Sequence, residues 1–335
     1  MSPCETLTLG NKQTPNDTLP VSLEDYAVTS NGFLPADAPL ARLTNPYHAP
    51  WETLMDSLPE LVANRTLRQL VDNLPVLSTD ILATEAEWRR ACVVLGFLTH
   101  AYVWGGETAA EFFVDPPTPI TIPSSPSPPT SASPVATYAC VNLWNFRSAS
   151  PTANFTDLDA LTSLQTFTGT LDESWFYVVS VAMEAQGAYI IPLMLSALEA
   201  TFSPSTSSPS TTTSTTVTAT PTIGYHLITT ALHSLTTCIH SLGLLLDRMD
   251  THCRPPVFYH AIRPFLAGSK NMASAGLPRG VFYDEGEGKG SWRQLRGGSN
   301  GQNGDEGAGE FRNKHLQMVA RYIIVPSRQP NPNTG

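Results

Sequence analysis

Two segments rich in proline, serine and threonine interrupt this 335-residue chain and limit what the rest of it can form. The first is 115–134 (DPPTPITIPSSPSPPTSASP), and the second, 203–222, is almost entirely serine, threonine and proline. Repeated prolines prevent helices and central strands, and a segment without large apolar side chains cannot bury surface. We therefore predict a linker at 115–134 that separates domains at 1–134 and 135–335, and a disordered loop at 203–222.

Apolar residues outside these two segments recur at helical spacing. No strand alternation is evident, and Gly105 and Gly106 provide a typical end for the helix that precedes them. The sequence therefore predicts an all-α protein, with a small helical domain before the linker and a larger helical domain after it. The predicted helical stretches after residue 80 are 87–103, 157–164, 173–200 and 225–249.

Charge and composition limit where the chain acts. The formal net charge is −10, which argues against binding to nucleic acid or to anionic membranes. The five cysteines are scattered and form no disulfide framework, and the N-terminus does not resemble a signal peptide. The most apolar window, 175–198, contains Glu184 and Pro192, which favours a core helix over a membrane span. We therefore expect a cytoplasmic protein with no nucleic-acid or membrane partner.

The histidines offer little chemistry of their own. His226, His233 and His240 are seven residues apart along one predicted helix, and a helical metal site needs spacings of three or four. These three residues therefore indicate a polar helix surface. The chain contains no GxSxG, P-loop or HExxH motif. Such a sequence suits a site in which a cofactor carries the chemistry.

Arg263 is the most informative charged residue. It lies within FYHAIRPFLAG (258–268), between aromatic and aliphatic side chains. Burial of an unpaired guanidinium is unfavourable, and its planar fork suits a ligand carboxylate or phosphate. Alternatively, Arg263 lies at the edge of the core and extends to solvent or pairs with an internal acid. The residues alone leave both interpretations open.

Several motifs in this chain resemble the indoleamine 2,3-dioxygenase family in their order and spacing. The resemblance covers most of the chain from about Leu34 to Gln302 and is interrupted by the two proline-rich segments. The motifs are LPELVANRTLRQLVDNLPVLST (58–79), FLTHAYVWGG (97–106), YACVNLWNF (138–146), FYVVSVAME (176–184), FYHAIRPFLAG (258–268), PRGVFYDEG (278–286) and RGGSNGQ (296–302).

The resemblance implies both a fold and a reaction. The family is all-α, with a small domain packed over a large domain that holds haem b. Its members are oxidoreductases that insert both atoms of O₂ across the indole C2–C3 bond of L-tryptophan. The product, N-formylkynurenine, leads into the kynurenine pathway and NAD biosynthesis. By this resemblance we expect a haem-iron dioxygenase with L-tryptophan or a related indole and O₂ as substrates, and we expect a monomer.

The resemblance also assigns roles to individual residues. Arg263 would pair with the substrate carboxylate, Phe176 would pack on the indole, and Ser180 would lie near the distal face of the haem. Gly298 and Ser299 would belong to a loop that closes over the haem edge and the substrate. No residue receives an acid–base role. The full set of implied substrate-binding residues is Arg263, Phe258, Tyr259, Phe176, Tyr138 and Ser180.

The resemblance breaks after Gln302. In the family, the proximal iron ligand is the histidine of a segment resembling YMPxxHRxFL, and this chain has no such segment. Residues 303–314 are polar and glycine-rich, and 315–326 (HLQMVARYIIVP) resembles a helix downstream of the proximal histidine. We therefore predict that an internal block is missing between Gln302 and His315, and we assign no metal ligand. A haem iron needs an axial protein ligand, so this prediction places haem binding in doubt.

Three interpretations of the break are open. The chain is a tryptophan-cleaving dioxygenase by descent, a non-catalytic remnant that binds indoles weakly at most, or an incorrectly spliced product whose correct transcript restores the block. For the sequence as it stands, we predict no dioxygenase turnover.

Overall fold

The structure is a computed structural model, and seven ranges of it are described. The predicted linker at 115–134 and nearly all of the predicted loop at 203–222 lie outside these ranges. The described residues are 22–26, 28–106, 135–149, 155–202, 222–284, 290–295 and 317–329.

The described residues before the predicted linker form four α-helices. The longest, α4, begins after Thr84, whose side chain accepts a hydrogen bond from the Glu87 N–H while the Glu87 carboxylate accepts from the Thr84 N–H. It ends at Gly105, whose N–H donates to the Ala101 carbonyl at 2.8 Å, so the predicted glycine terminus is confirmed. The helices are α1 (Ala49–Asp56), α2 (Leu58–Ala63), α3 (Leu67–Asp72) and α4 (Glu85–Trp104).

Four α-helices of at least four residues follow the linker within the described ranges, and one prediction about them is wrong. The expected continuous helix over 173–200 is divided at residues 188–189. Pro192 has no N–H to donate to the Ala188 carbonyl, so the regular hydrogen-bond ladder is interrupted there. The helices are α5 (Leu171–Gly187), α6 (Ile190–Phe202), α7 (Thr222–Asp247) and α8 (Met249–His252).

Two small antiparallel ribbons accompany the helices. The predicted helical block at 157–164 is wrong, because it forms one 3₁₀ turn and then a strand that pairs with the segment after Leu143. The Asp157 side chain accepts the Asp159 N–H, which favours a tight turn over a helix. Helices dominate nonetheless, which confirms the all-α class. The ribbons are β1 (Phe146–Ser148) with β2 (Leu161–Ser163), and β3 (Val281–Asp284) with β4 (Gly290–Arg293).

The centre of the structure is α4. It packs against the π-helix Ala139–Leu143 and against the 3₁₀ turn Arg263–Leu266. A single apolar cluster includes Phe97 of α4 together with Phe167 and Phe258, which lie on the other side of the predicted linker. The described contacts thus join the two sides closely, and the division at residue 134 stays a prediction.

One helical stretch, 171–199, is long and apolar enough to cross a membrane by length and composition. About a third of its most apolar window is buried inside the protein, at 33%. A helix in the core of a soluble protein meets the same criterion, and Tyr177, Val179 and Val181 of α5 are fully buried. The prediction that this part of the chain packs in the core is confirmed for α5.

Candidate functional site

The candidate site is built on an unusual run of short helical turns at 255–266. A helical turn (Pro255–Val257) leads into a π-helix (Phe258–Ile262) and then a 3₁₀ turn (Arg263–Leu266). The Arg263 N–H donates to the Phe258 carbonyl, the wide spacing that defines a π-helix and that recurs at functional sites. This winding separates the segment into a buried side and an open side.

Arg263 lies on the open side, with its guanidinium over the ring of Tyr259 at 5.0 Å from the ring centroid. Arg263 is exposed, as expected if it lies at the edge of the core and extends to solvent. The π-helical turn directs Phe258 and Ile262 inward, so Arg263 and Tyr259 take the outer face. Within the described ranges, Arg263 has no ion pair, so an internal acid partner is not found there and its guanidinium is open to a ligand.

An aromatic contact lies on the buried side. Phe258 meets Phe176 of α5 with ring centroids 4.6 Å apart and planes tilted by 43°. Tyr322 presents its ring edge to Phe258 at 5.7 Å. Phe258 is buried and Phe176 is half-buried, so part of the Phe176 ring is available to another aromatic group. Such a surface favours a flat ligand ring in offset or edge-on contact.

Polar groups continue along the same face of α5. Ser180 follows Phe176 by one turn, and Glu184 follows Ser180 by another. The Tyr138 hydroxyl donates to Glu184 Oε1 at 2.9 Å. Burial raises the pKa of the Tyr138 hydroxyl and of the Glu184 carboxyl.

Glu184 was not among the predicted site residues. It lies in the FYVVSVAME motif four residues after Ser180, and that spacing was the signal that could have identified it. Phe176, Ser180 and Glu184 thus form one row along the helix, the α5 stripe. Phe176 contacts Phe258 at one end of this row, and Glu184 accepts from Tyr138 at the other. Tyr259 and Arg263 pair with each other on the outer face. Gly298 and Ser299 lie outside the described residues.

Two α4 side chains that the sequence did not single out hold the turn that carries Arg263. Nδ1 of His100 lies 2.6 Å from the Phe265 carbonyl oxygen, and the Trp104 Nε1–H donates to the Ala267 carbonyl at 3.0 Å. Burial lowers the pKa of His100 to about 4, so the ring is neutral at pH 7 and its Nδ1 carries the hydrogen that it donates.

The described histidines do not cluster with other metal-ligating side chains. Within the described ranges, no group of three or more His, Cys, Asp or Glu side chains is able to hold a metal. The expected surface stripe on α7 is confirmed, since all three of its histidines are exposed. His260 has a buried Nε2 without a hydrogen-bond partner, but it stands two positions from Phe258 and so faces nearly the opposite way. Among the described ring contacts of Phe176 and Phe258, the partners are Tyr177, Tyr322 and each other, and none is a histidine. His315 lies outside the described residues.

Comparison with known proteins places these residues in context. A family model described as indoleamine 2,3-dioxygenase matches residues 22–304. The chain is 39% identical over 325 residues to an indoleamine 2,3-dioxygenase of Penicillium citrinum, covering 92% of this chain and 68% of that relative. It is 36% identical over 293 residues to one of Saccharomyces cerevisiae, covering 85% and 59%.

A third relative is named for a different substrate. The chain is 35% identical over 293 residues to a 6-hydroxytryptophan 2,3-dioxygenase of Fusarium equiseti, covering 85% of this chain and 65% of that relative. Against these three relatives, the chain spans between 59% and 68% of their lengths.

Proposed function

This chain belongs to the indoleamine 2,3-dioxygenase family, and we propose that its described residues form the binding site for an indole amino acid. Members of the family are dioxygenases and hence oxidoreductases, and they depend on haem. L-Tryptophan or a related indole is the proposed ligand. A cytoplasmic location and a monomeric state are part of the same proposal.

Two observations on one short segment carry the proposal: the exposed Arg263 guanidinium over the Tyr259 ring, and the contact of Phe258 with Phe176. The guanidinium has no ion pair among the described residues, and its planar fork suits the two oxygens of an amino-acid carboxylate. Phe176 and Phe258 supply aromatic surface for the indole ring. A guanidinium and an aromatic surface are the two groups that the carboxylate and the ring of an aromatic amino acid require.

The polar groups of α5 bear on which substituents the indole ring of the ligand carries. Ser180 and the Tyr138–Glu184 pair carry hydroxyl and carboxylate groups that accept hydrogen bonds. A hydroxyl on the indole ring, or the indole N–H, is able to donate a hydrogen bond to these acceptors. We therefore include ring-hydroxylated tryptophans in the proposed substrate class, as the name of the Fusarium equiseti relative also suggests.

Binding and turnover are separate parts of the proposal. In this family the haem supplies the activation of O₂, whereas the residues described above bind and orient the amino acid. The sequence lacks the YMPxxHRxFL segment, whose histidine is the proximal ligand in the family. We propose that this chain binds an indole amino acid and does not oxidise it.

The test uses the full chain after addition of hemin and ascorbate. L-Tryptophan binding is measured by calorimetry, the Soret band by absorbance, and N-formylkynurenine by chromatography, with the Saccharomyces cerevisiae relative as the positive control. We expect saturable tryptophan binding without product. Stoichiometric histidine–haem absorption with product would overturn the proposed lack of turnover, and absence of tryptophan binding would overturn the site.

A second experiment addresses the missing block. The cDNA is sequenced across the codons for Gln302 to His315. An in-frame segment that encodes YMPxxHR would support the interpretation that incorrect splicing produced this chain. A continuous reading frame without such a segment would support the non-catalytic remnant.

A further inference from the structure

The short turn that carries Arg263 is held from one side by α4. His100 and Trp104 lie four residues apart and therefore share one face of that helix. Their ring nitrogens reach two carbonyls of one short stretch, that of Phe265 at 2.6 Å and that of Ala267 at 3.0 Å. These carbonyls follow Arg263 by two and four residues.

A stack of three rings holds the same turn on the same face of α4. Phe97 stacks on Phe167 with centroids 4.4 Å apart and planes 25° apart, and Phe167 stacks on Phe265 at 4.9 Å and 8°. Phe167 is itself fixed, because its N–H donates to the buried Glu173 carboxylate at 2.7 Å. The turn is thus fixed through two backbone carbonyls and one side chain.

We propose that His100 and Trp104 are positioning residues for Arg263, so that α4 sets the affinity for the ligand carboxylate without touching the ligand. The inference rests on the proposed function, in which Arg263 binds that carboxylate. The Arg263 side chain is exposed and contacts the Tyr259 ring, so its direction depends on how firmly its backbone is held. A fixed backbone reduces the ordering that binding requires.

A positioning role for His100 and Trp104 and a role in packing alone predict different effects on different ligands. Loss of packing weakens the binding of every ligand, or unfolds the protein. Loss of Arg263 positioning weakens only ligands that carry a carboxylate. Tryptamine has the indole ring and the ammonium group of L-tryptophan and no carboxylate, so the ratio of the two dissociation constants isolates the role of Arg263.

The first test substitutes Trp104→Phe, which keeps a large ring and removes the N–H donor. Dissociation constants for L-tryptophan and tryptamine are measured by calorimetry on the full chain, with folding checked by circular dichroism. We expect tryptophan binding to weaken about 5-fold, the usual effect of one lost hydrogen bond, and tryptamine binding to stay within about 2-fold. The matched control is Trp88→Phe on the same helix, which should leave both constants unchanged.

A second pair of variants keeps the inference testable if Trp104→Phe does not fold. Asparagine at position 100 places an amide N–H near the position of the histidine Nδ1, whereas leucine removes the donor. We expect His100→Asn to retain most of the preference for tryptophan over tryptamine and His100→Leu to lose it. Equal preference in these two variants would overturn the inference.

Failure of this inference and failure of the proposed function are distinguishable through Arg263→Ala. If that variant keeps the preference for tryptophan, the proposed function is wrong. If it loses the preference while Trp104→Phe and His100→Leu keep it, Arg263 binds the carboxylate and α4 does not position it.

Discussion

Two regions of this molecule are built differently. The first, here the α4–α5 core, comprises α4, α5, the loop 163–170 and the segment 255–266. Its side chains are mostly buried, and several of its buried polar groups have hydrogen-bond partners, such as His100 with the Phe265 carbonyl 165 residues away. The second, the α6–α7 pair, is only half-buried and exposes Leu198, Leu232 and Leu244 at 50–54%.

The difference explains where the candidate site lies. A binding site needs side chains whose positions are fixed before the ligand arrives, and fixed positions come from dense packing and satisfied hydrogen bonds. Phe176, Phe258 and the turn that carries Arg263 all belong to the α4–α5 core. The α6–α7 pair carries exposed histidines and leucines, and the described contacts give it no comparable network.

The largest expected effect comes from Glu173 of the α4–α5 core. Its fully buried carboxylate accepts four hydrogen bonds, from the Phe167 N–H, the Thr168 N–H and hydroxyl, and the Tyr177 hydroxyl. Glu173→Ala leaves these buried donors unpaired, and we expect the free energy of unfolding to fall by about 4 kcal/mol. Urea unfolding of the parent and the variant measures this change in the free energy of unfolding.

The matched control for that change is Glu199→Ala on α6, which we expect to alter the free energy of unfolding by less than about 0.5 kcal/mol. If the two variants are equally destabilised, the contrast between the two regions is wrong.

The second prediction concerns apolar packing. Leu98 of α4 is 1% exposed, whereas Leu244 of α7 is 54% exposed. Truncation of a buried leucine leaves a cavity, so Leu98→Ala should lower the free energy of unfolding by about 3 kcal/mol. Leu244→Ala removes few contacts and should lower it by less than about 1 kcal/mol. Thermal and urea unfolding of both variants measure the difference. A large effect at Leu244 would show that this side chain is packed as densely as a core leucine, which would contradict the contrast.

The third prediction is a pH dependence that only the α4–α5 core should show. The pKa of His100 is lowered from 6.5 to about 4 by burial, so the unfolded chain binds more protons at this residue between those values. His100 therefore contributes stability above pH 6.5 that is lost as the pH falls to 4, and the loss amounts to about 3 kcal/mol.

The measurement compares the parent with His100→Asn by urea unfolding at several pH values. The variant should show a smaller decline in stability between pH 6.5 and 4 than the parent shows. If His100→Asn and the parent decline in parallel, His100 is not buried in its neutral form.

Local sequence patterns predicted much of the fold and only part of the site. The α4 terminus at Gly105 and the helical class follow from short-range rules of capping and periodicity. The strands β1 and β2 are three residues each, which is too short to show alternation. The break before Pro192 depends on a single missing N–H, which periodicity does not register. The exposure of Arg263 depends on a π-helical turn, which apolar neighbours in the sequence do not reveal.

The residues that hold the site together were the least predictable. His100 and Phe265 are 165 residues apart, and Trp104 and Ala267 are 163 apart, so no local pattern connects them. Arg263, Phe258 and Phe176 came from a resemblance between motifs, which names residues without stating what supports them. The contacts of α4 and the Tyr138–Glu184 pair supply that support and required the three-dimensional arrangement.

The central claim is that Arg263 binds the carboxylate of an indole amino acid. Calorimetry of the full chain with L-tryptophan and with tryptamine tests it most directly, with Arg279→Leu as the matched control, because Arg279 also lies over an aromatic ring, that of Trp292. We predict that the parent and Arg279→Leu bind L-tryptophan about 10-fold more tightly than tryptamine, and that Arg263→Leu binds the two equally. Equal affinity for both ligands in the parent, or an unchanged preference in Arg263→Leu, would contradict the claim.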